Sequence, residues 1–88
     1  LINTSRGDLI NEEDLYEGLN VKKPAFAALD VLKTEPPVGG HPLFNLENCI
    51  ITPHVAWASK QAREKLMDMT VENILCFLEK RPFNNLAK

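Results

Sequence analysis

The chain has 88 residues, with 10 Lys+Arg against 12 Asp+Glu and a formal charge of −2, a balance that argues against nucleic acid or an anionic membrane as a partner. Its 44% apolar content excludes an intrinsically disordered segment. No run of 18 apolar residues and no charged-then-apolar leader occurs, which argues against a membrane span and a signal peptide.

A chain of this length buries only about 60 to 65% of its unfolded surface, so help from a partner or a larger parent is expected. The sequence opens on Leu1, already inside an apolar pair that runs into turn chemistry, as a segment of a longer protein would. Cys49 and Cys76 lie far apart in apolar runs and read as buried thiols in a reducing compartment, not as a disulfide. The cytoplasm is the expected location.

"LINT" at 1–4 reads as the end of a strand that finishes in "SRG". "NEEDLYEGLN" is a helix: Asn11 can cap it, Glu12, Glu13 and Asp14 complement its positive end, Leu15 and Leu19 share a face, and Asn20 closes it. "AFAALDVL" has strand length and small residues that suit a strand buried on both faces. Pro36 and Pro37 stop it.

"EPPVGGHPLFNLEN" is a loop, with a single turn over 42–46 packed by Leu43 and Phe44. "NCIITPH" is another buried strand. From Ser59 the apolar period changes to that of a helix of about twenty residues over about 59–80. One stripe on it is Ala62, Leu66, Met69, Asn73 and Phe77, and a second is Met67, Val71, Ile74 and Leu78. So wide an apolar face must be covered by other structure. Strand, helix, strand, loop, strand, long helix is the rhythm of an open parallel α/β sheet.

In such sheets ligands bind beyond the carboxyl ends of the strands. The first strand delivers Arg6, the second Asp30 and then Glu35, and the third His54. A guanidinium can hold a carboxylate with two hydrogen bonds, an imidazole moves a proton near neutral pH, and a carboxylate behind it fixes its tautomer. That set suits reduction of a 2-oxo acid or oxidation of a 2-hydroxy acid. Taken singly, each has a plainer reading: a surface arginine, solvated loop acids, a histidine capping the long helix. Trp57 is a packing residue with a polar handle or the wall of a small pocket, while Met67 and Met69 are core fillers. No metal is expected, because no pair among His41, Cys49, His54 and Cys76 has zinc-ligand spacing.

"NTSRG", "ALDVLKTEP", "HPLFNLENCIITPH" and "SKQAREKLMDMTVENILCFLEKRPFNNL" together resemble the carboxy-terminal part of the NAD-dependent D-2-hydroxyacid dehydrogenases. The resemblance implies the closing part of a Rossmann-like NAD-binding domain. Strand, helix, strand, loop and strand would run to about 58, the long helix over about 59–80, and the tail 81–88 toward a substrate domain. It assigns Arg6 to the substrate carboxylate, Asp30 to the nicotinamide carboxamide side, and Glu35 with His54 to proton transfer. Thr4, Ser5, Arg6 and His54, with Val55, Ala56 and Trp57, would border the cofactor, NAD with NADP left open. The intact parent would be a homodimer acting on a small 2-hydroxy or 2-oxo acid.

"HVAWAS" departs from the glycine pair that many members carry after the histidine and is similar to the glycerate dehydrogenase, or hydroxypyruvate reductase, branch. That points to D-glycerate and hydroxypyruvate. No G-x-G-x-x-G occurs, so the 88-residue chain alone is expected neither to bind NADH tightly nor to turn over. A rival reading is a nucleotide-binding corepressor of the same fold that needs no catalysis, and a third is a stand-alone scaffold.

Overall fold

In the computed structural model, which describes residues 1–81 and 83–86, the chain divides after Ala56 into two units. The first holds β1 (Ile2–Asn3), α1 (Glu12–Asn20), β2 (Ala27–Leu29) and β3 (Cys49–Ile51), with 3-10 turns at Gly7–Leu9 and Pro42–Asn45. The second is built on α2 (Lys60–Leu78). The predicted tail over 81–88 includes Pro82, Ala87 and Lys88, which lie outside the described residues.

The three strands form a parallel sheet in the order β1-β2-β3, with Ile2 opposite Ala28 and Ala28 opposite Ile50. Parallel pairing requires a crossover between neighbours. α1 supplies the first and the proline-rich loop the second. Asn11 starts α1 as expected, its Oδ1 accepting the Glu13 and Asp14 N–H groups at 3.1 and 3.3 Å. Leu15 and Leu19 then meet Ala27, Leu29, Leu32 and Leu43 in the core, with Cys49 and Ile51 packed against it.

That core covers one face of the sheet only. Ile2 and Ile50, on the alternate positions, are 80% and 66% exposed. β2 is therefore not buried on both faces as its run of small residues suggested: its middle residue, Ala28, is only half-buried. α2 likewise shows its apolar stripes, with Leu66, Val71, Ile74, Phe77 and Leu78 all exposed and Cys76 the buried residue among those described. In the predicted turn at 42–46 only Leu43 is core. Phe44 is half exposed and tilts against the His41 ring.

The strands are also shorter than their apolar runs, because side chains take the next amides. Asn3 Oδ1 accepts the Ser5 N–H at 3.0 Å and its Nδ2 donates to the Arg6 carbonyl at 2.9 Å, turning the chain away from the ladder after β1. Gly7 follows at a place where only hydrogen fits. A Cβ there would stand 2.1 Å from the Leu32 carbonyl carbon and 2.3 Å from the Lys33 nitrogen, and backbone cannot give way as a side-chain tip can. Gly7→Ala is expected to cost about 2 kcal/mol and to lower the melting temperature by several degrees; thermal unfolding checks it, and an unchanged midpoint would contradict the packing.

Candidate functional site

β2 ends by delivering Asp30, whose carboxyl is buried and surrounded by donors from the segment after β3. Oδ1 accepts the Thr52 hydroxyl at 2.5 Å and the Val55 N–H at 2.9 Å, and Oδ2 accepts the Ala56 N–H at 2.8 Å. The Thr52 hydroxyl foremost, helped by the two amides and the nearby His54 ring, holds this carboxyl below its ordinary range against the opposing effect of burial. Asp30 is thus an ionised anchor for residues 52–56.

Inside that anchored loop, the Thr52 N–H continues the ladder to the Leu29 carbonyl at 2.9 Å and the His54 N–H turns back to the Thr52 carbonyl at 3.0 Å. His54 adopts φ 54°, the left-handed region that a non-glycine residue occupies at a cost of about 1 to 2 kcal/mol. Such a conformation persists only where the surroundings enforce it. The enforcing group is Asp30, which holds the two residues that follow His54.

The imidazole meets Glu35, the carboxylate that closes the loop after β2. His54 Nδ1 lies 2.6 Å from Glu35 Oε2, and Glu35 Oε1 accepts the Leu32 N–H at 2.7 Å. The bond to His54 first, and the Leu32 amide second, lower the Glu35 pKa. An ionised carboxylate only accepts, so Nδ1 carries the hydrogen and Nε2 is the nitrogen that can gain or lose a proton. Both side chains are about a third or more exposed, at 41% for His54 and 34% for Glu35, within reach of a ligand.

Two hollows lie in this region and share Asp30 and Thr52, and the pair lines the first of them. One, of about 350 Å³, has apolar walls that include Leu32, Pro36, Phe44 and Ile51, with Glu35 and His54 at its polar end. The other, of about 170 Å³, lies at the carboxyl ends of the strands and is lined by Thr4, Ala28, Asp30, Val55 and Ala56 among others. The sequence-predicted residues Thr4, Asp30, Glu35, His54, Val55 and Ala56 are thus gathered around the two hollows. Arg6 and Ser5 line neither: the Arg6 guanidinium donates to the Ser5 carbonyl at 2.7 Å and is exposed. Trp57 opens the second unit and is 57% exposed.

Thr52 and the Leu32 amide escaped the sequence reading, which placed Val55 and Ala56 at the cofactor border without foreseeing that their amides hold Asp30. The hydroxyl two residues before His54 in "TPH" was a usable signal; the amides carry none, because a backbone donor has no residue type. Cys49, the thiol next to this region, is pushed up by burial and stays protonated.

Residues 1–56 match the profile of the D-isomer specific 2-hydroxyacid dehydrogenase, NAD binding domain. The chain belongs to this family. It is 50% identical over 88 residues to a hydroxypyruvate reductase of Blautia hydrogenotrophica, covering 100% of this chain and 27% of that protein. To the glyoxylate reductase/hydroxypyruvate reductase of Homo sapiens it is 42% identical over 87 residues, 99% of this chain and 26% of the relative. Among solved structures, an acyclic imino acid reductase in complex with NADPH and D-Arg superposes with a TM-score of 0.70 at 40% identity, over 99% of this chain and 27% of that one. The chain therefore spans about a quarter of the length of the dehydrogenase-family proteins it matches. Its α/β fold with a parallel sheet is that of the family's NAD-binding domain.

Proposed function

We propose that the chain is the closing part of the NAD-binding domain of a longer D-2-hydroxyacid dehydrogenase that interconverts hydroxypyruvate and D-glycerate. The observation that carries this reading is the 2.6 Å pair of Glu35 and His54 at the polar end of the larger hollow, in the loops that follow the carboxyl ends of the strands, where ligands of such sheets bind. The names of the relatives, hydroxypyruvate reductase and glyoxylate reductase/hydroxypyruvate reductase, favour the small substrate.

The smaller hollow fits a flat ring that bears an amide. Its lining of Thr4, Ala28, Ile50, Val55 and Ala56 is small or apolar. Asp30 Oδ1 is filled by two donors while Oδ2 accepts one, so a second lone pair on Oδ2 suits a carboxamide N–H. Bound there, NAD would supply hydride transfer at the substrate's second carbon. Thr4, Ser5, Val55, Ala56 and Trp57 are assigned to the border of that cofactor, with NADP as the alternative suggested by the NADPH of the solved relative.

Arg6 is assigned to the substrate carboxylate. Of its five N–H donors, one on Nη1 is engaged on the Ser5 carbonyl, and turning the guanidinium presents a fork to a planar anion. In reduction, doubly protonated His54 gives its Nε2 proton to the carbonyl oxygen as negative charge develops there, and in oxidation neutral His54 takes it back. Glu35 keeps Nδ1 protonated throughout and offsets the imidazolium charge. A purely binding role does not require Arg6, Glu35 and His54 together. The tail over 81–88 is assigned to the return toward the substrate domain, and the intact enzyme is read as a cytoplasmic homodimer, consistent with two free cysteines.

The test is oxidation of NADH and NADPH by the complete protein with hydroxypyruvate, set against bulkier 2-oxo acids. Preference for hydroxypyruvate is the expected result. Turnover of other acids only would keep the chemistry and discard the substrate, and no turnover of any would overturn the enzymatic reading.

A further inference from the structure

The peptide between Leu32 and Lys33 joins three segments of the site. Its Leu32 neighbour donates N–H to Glu35 Oε1 at 2.7 Å, and its own Lys33 N–H donates to Glu12 Oε1 at 2.8 Å. On another side it rests against Gly7, next in sequence to Arg6, with no space for a Cβ. The chain end that carries Glu35 is thereby fixed to the first turn of α1.

Glu12 also holds the far side of the same loop. Its Oε2 lies 3.1 Å from His41 Nε2, while His41 Nδ1 accepts the Leu43 N–H at 3.3 Å. An ionised carboxylate can only accept and Nδ1 is already accepting, so the hydrogen sits on Nε2 and the neutral ring satisfies both contacts. The two side chains are largely enclosed, at 15% exposure for His41 and 19% for Glu12. One carboxylate on α1 thus pins residue 33 and residue 41, the two ends of the proline-rich and glycine-rich stretch that contains Glu35.

We propose that Glu12, acting with His41, is a positioning residue that sets Glu35 against His54. Lys33 held by Glu12 orients the adjacent Leu32 amide, Leu32 holds one Glu35 oxygen, and the other oxygen is then aimed at Nδ1. The kinetic part of this proposal rests on the dehydrogenase reading; the structural part does not.

The test uses the complete protein with Glu12→Gln and Glu12→Ala. Glutamine offers one acceptor oxygen in place of two, so it cannot serve Lys33 and His41 together in the present tautomer. Amide hydrogen exchange should rise about tenfold or more at Leu32 as well as at Lys33, although Glu12 touches only the latter. Exchange that rises at Lys33 alone overturns the proposal, whether or not the protein turns over any substrate. In the active enzyme kcat should fall about tenfold with little change in KM, and Glu12→Gln added to Glu35→Gln should cause no further loss, since both remove one function. Losses that multiply would show a merely structural role and also overturn it. A wild-type protein inactive on every 2-oxo acid would instead fail the dehydrogenase reading and leave the exchange result to decide this one. Should the Glu12 variants not fold, His41→Leu, which spares the Lys33 bond and removes the second anchor, is expected to act in the same direction.

Discussion

Replacing His54 by Gln in the complete protein is expected to lower kcat for reduction of the preferred 2-oxo acid by about a thousandfold, within the range that a positioned general acid contributes. Glutamine matches the ring's reach but offers no proton near neutral pH. Glu35→Gln should cost less, on the order of tenfold to a hundredfold, because the imidazole stays while its partner loses charge. The 2.6 Å contact keeps Glu35 ionised by lowering its pKa, and an ionised carboxylate fixes the ring hydrogen on Nδ1, whereas a glutamine amide can also donate and no longer fixes it. Pre-steady-state reduction rates measure the loss directly, and a wild-type rate in the Glu35→Gln protein would remove Glu35 from proton transfer and leave it a loop tether.

Much of this arrangement could be read from the sequence because it rests on strand ends. Proline after Glu35 and before His54, and the apolar runs behind Asp30 and His54, mark where the sheet stops. Topology then brings those ends to one edge. What stayed hidden falls into two kinds. Backbone donors such as the Val55 and Ala56 amides have no residue signature, so Asp30 looked like a ligand-facing acid when its first partners are the chain's own loop. Contacts between distant segments have no spacing signature either: Glu12 reaches His41 across a strand and two loops, and each alone reads as an ordinary helix-start acid and a loop histidine. The strand lengths were overestimated for a related reason. Apolar runs report burial, whereas a ladder ends where side chains such as Asn3 and Glu35 capture the next amide. The orientation of Arg6 lay outside the reach of pattern too, since a long exposed side chain is set by whatever it meets at its tip.

Asp30→Asn is expected to lower kcat by about a hundredfold, the loss that a displacement near 1 Å of a reacting group can bring, although the side chain keeps its size. An asparagine has one oxygen and an N–H2 group, so wherever its nitrogen lies it faces a backbone donor, the Ala56 N–H or the Val55 N–H, even where the Thr52 hydroxyl turns to accept. Donor against donor leaves buried groups unpaired. Residues 52–56 lose their anchor, and with it goes the hold on Val55 and Ala56 that enforces φ 54° at His54. The same substitution should change the acid limb of stability. Asp30 and Glu35 are both lowered in the folded protein from ordinary values near 4. Their contribution is therefore complete above that range and is lost as pH falls through the folded values, because the unfolded chain binds those protons first. Melting temperature followed from pH 7 downward should decline for the wild type below about pH 4 and decline less steeply for Asp30→Asn, which starts lower. A variant with wild-type kcat and a lower melting temperature would show that the loop finds its geometry without the carboxylate, and the positive φ of His54 would then have to be held by other contacts, the one with Glu35 among them.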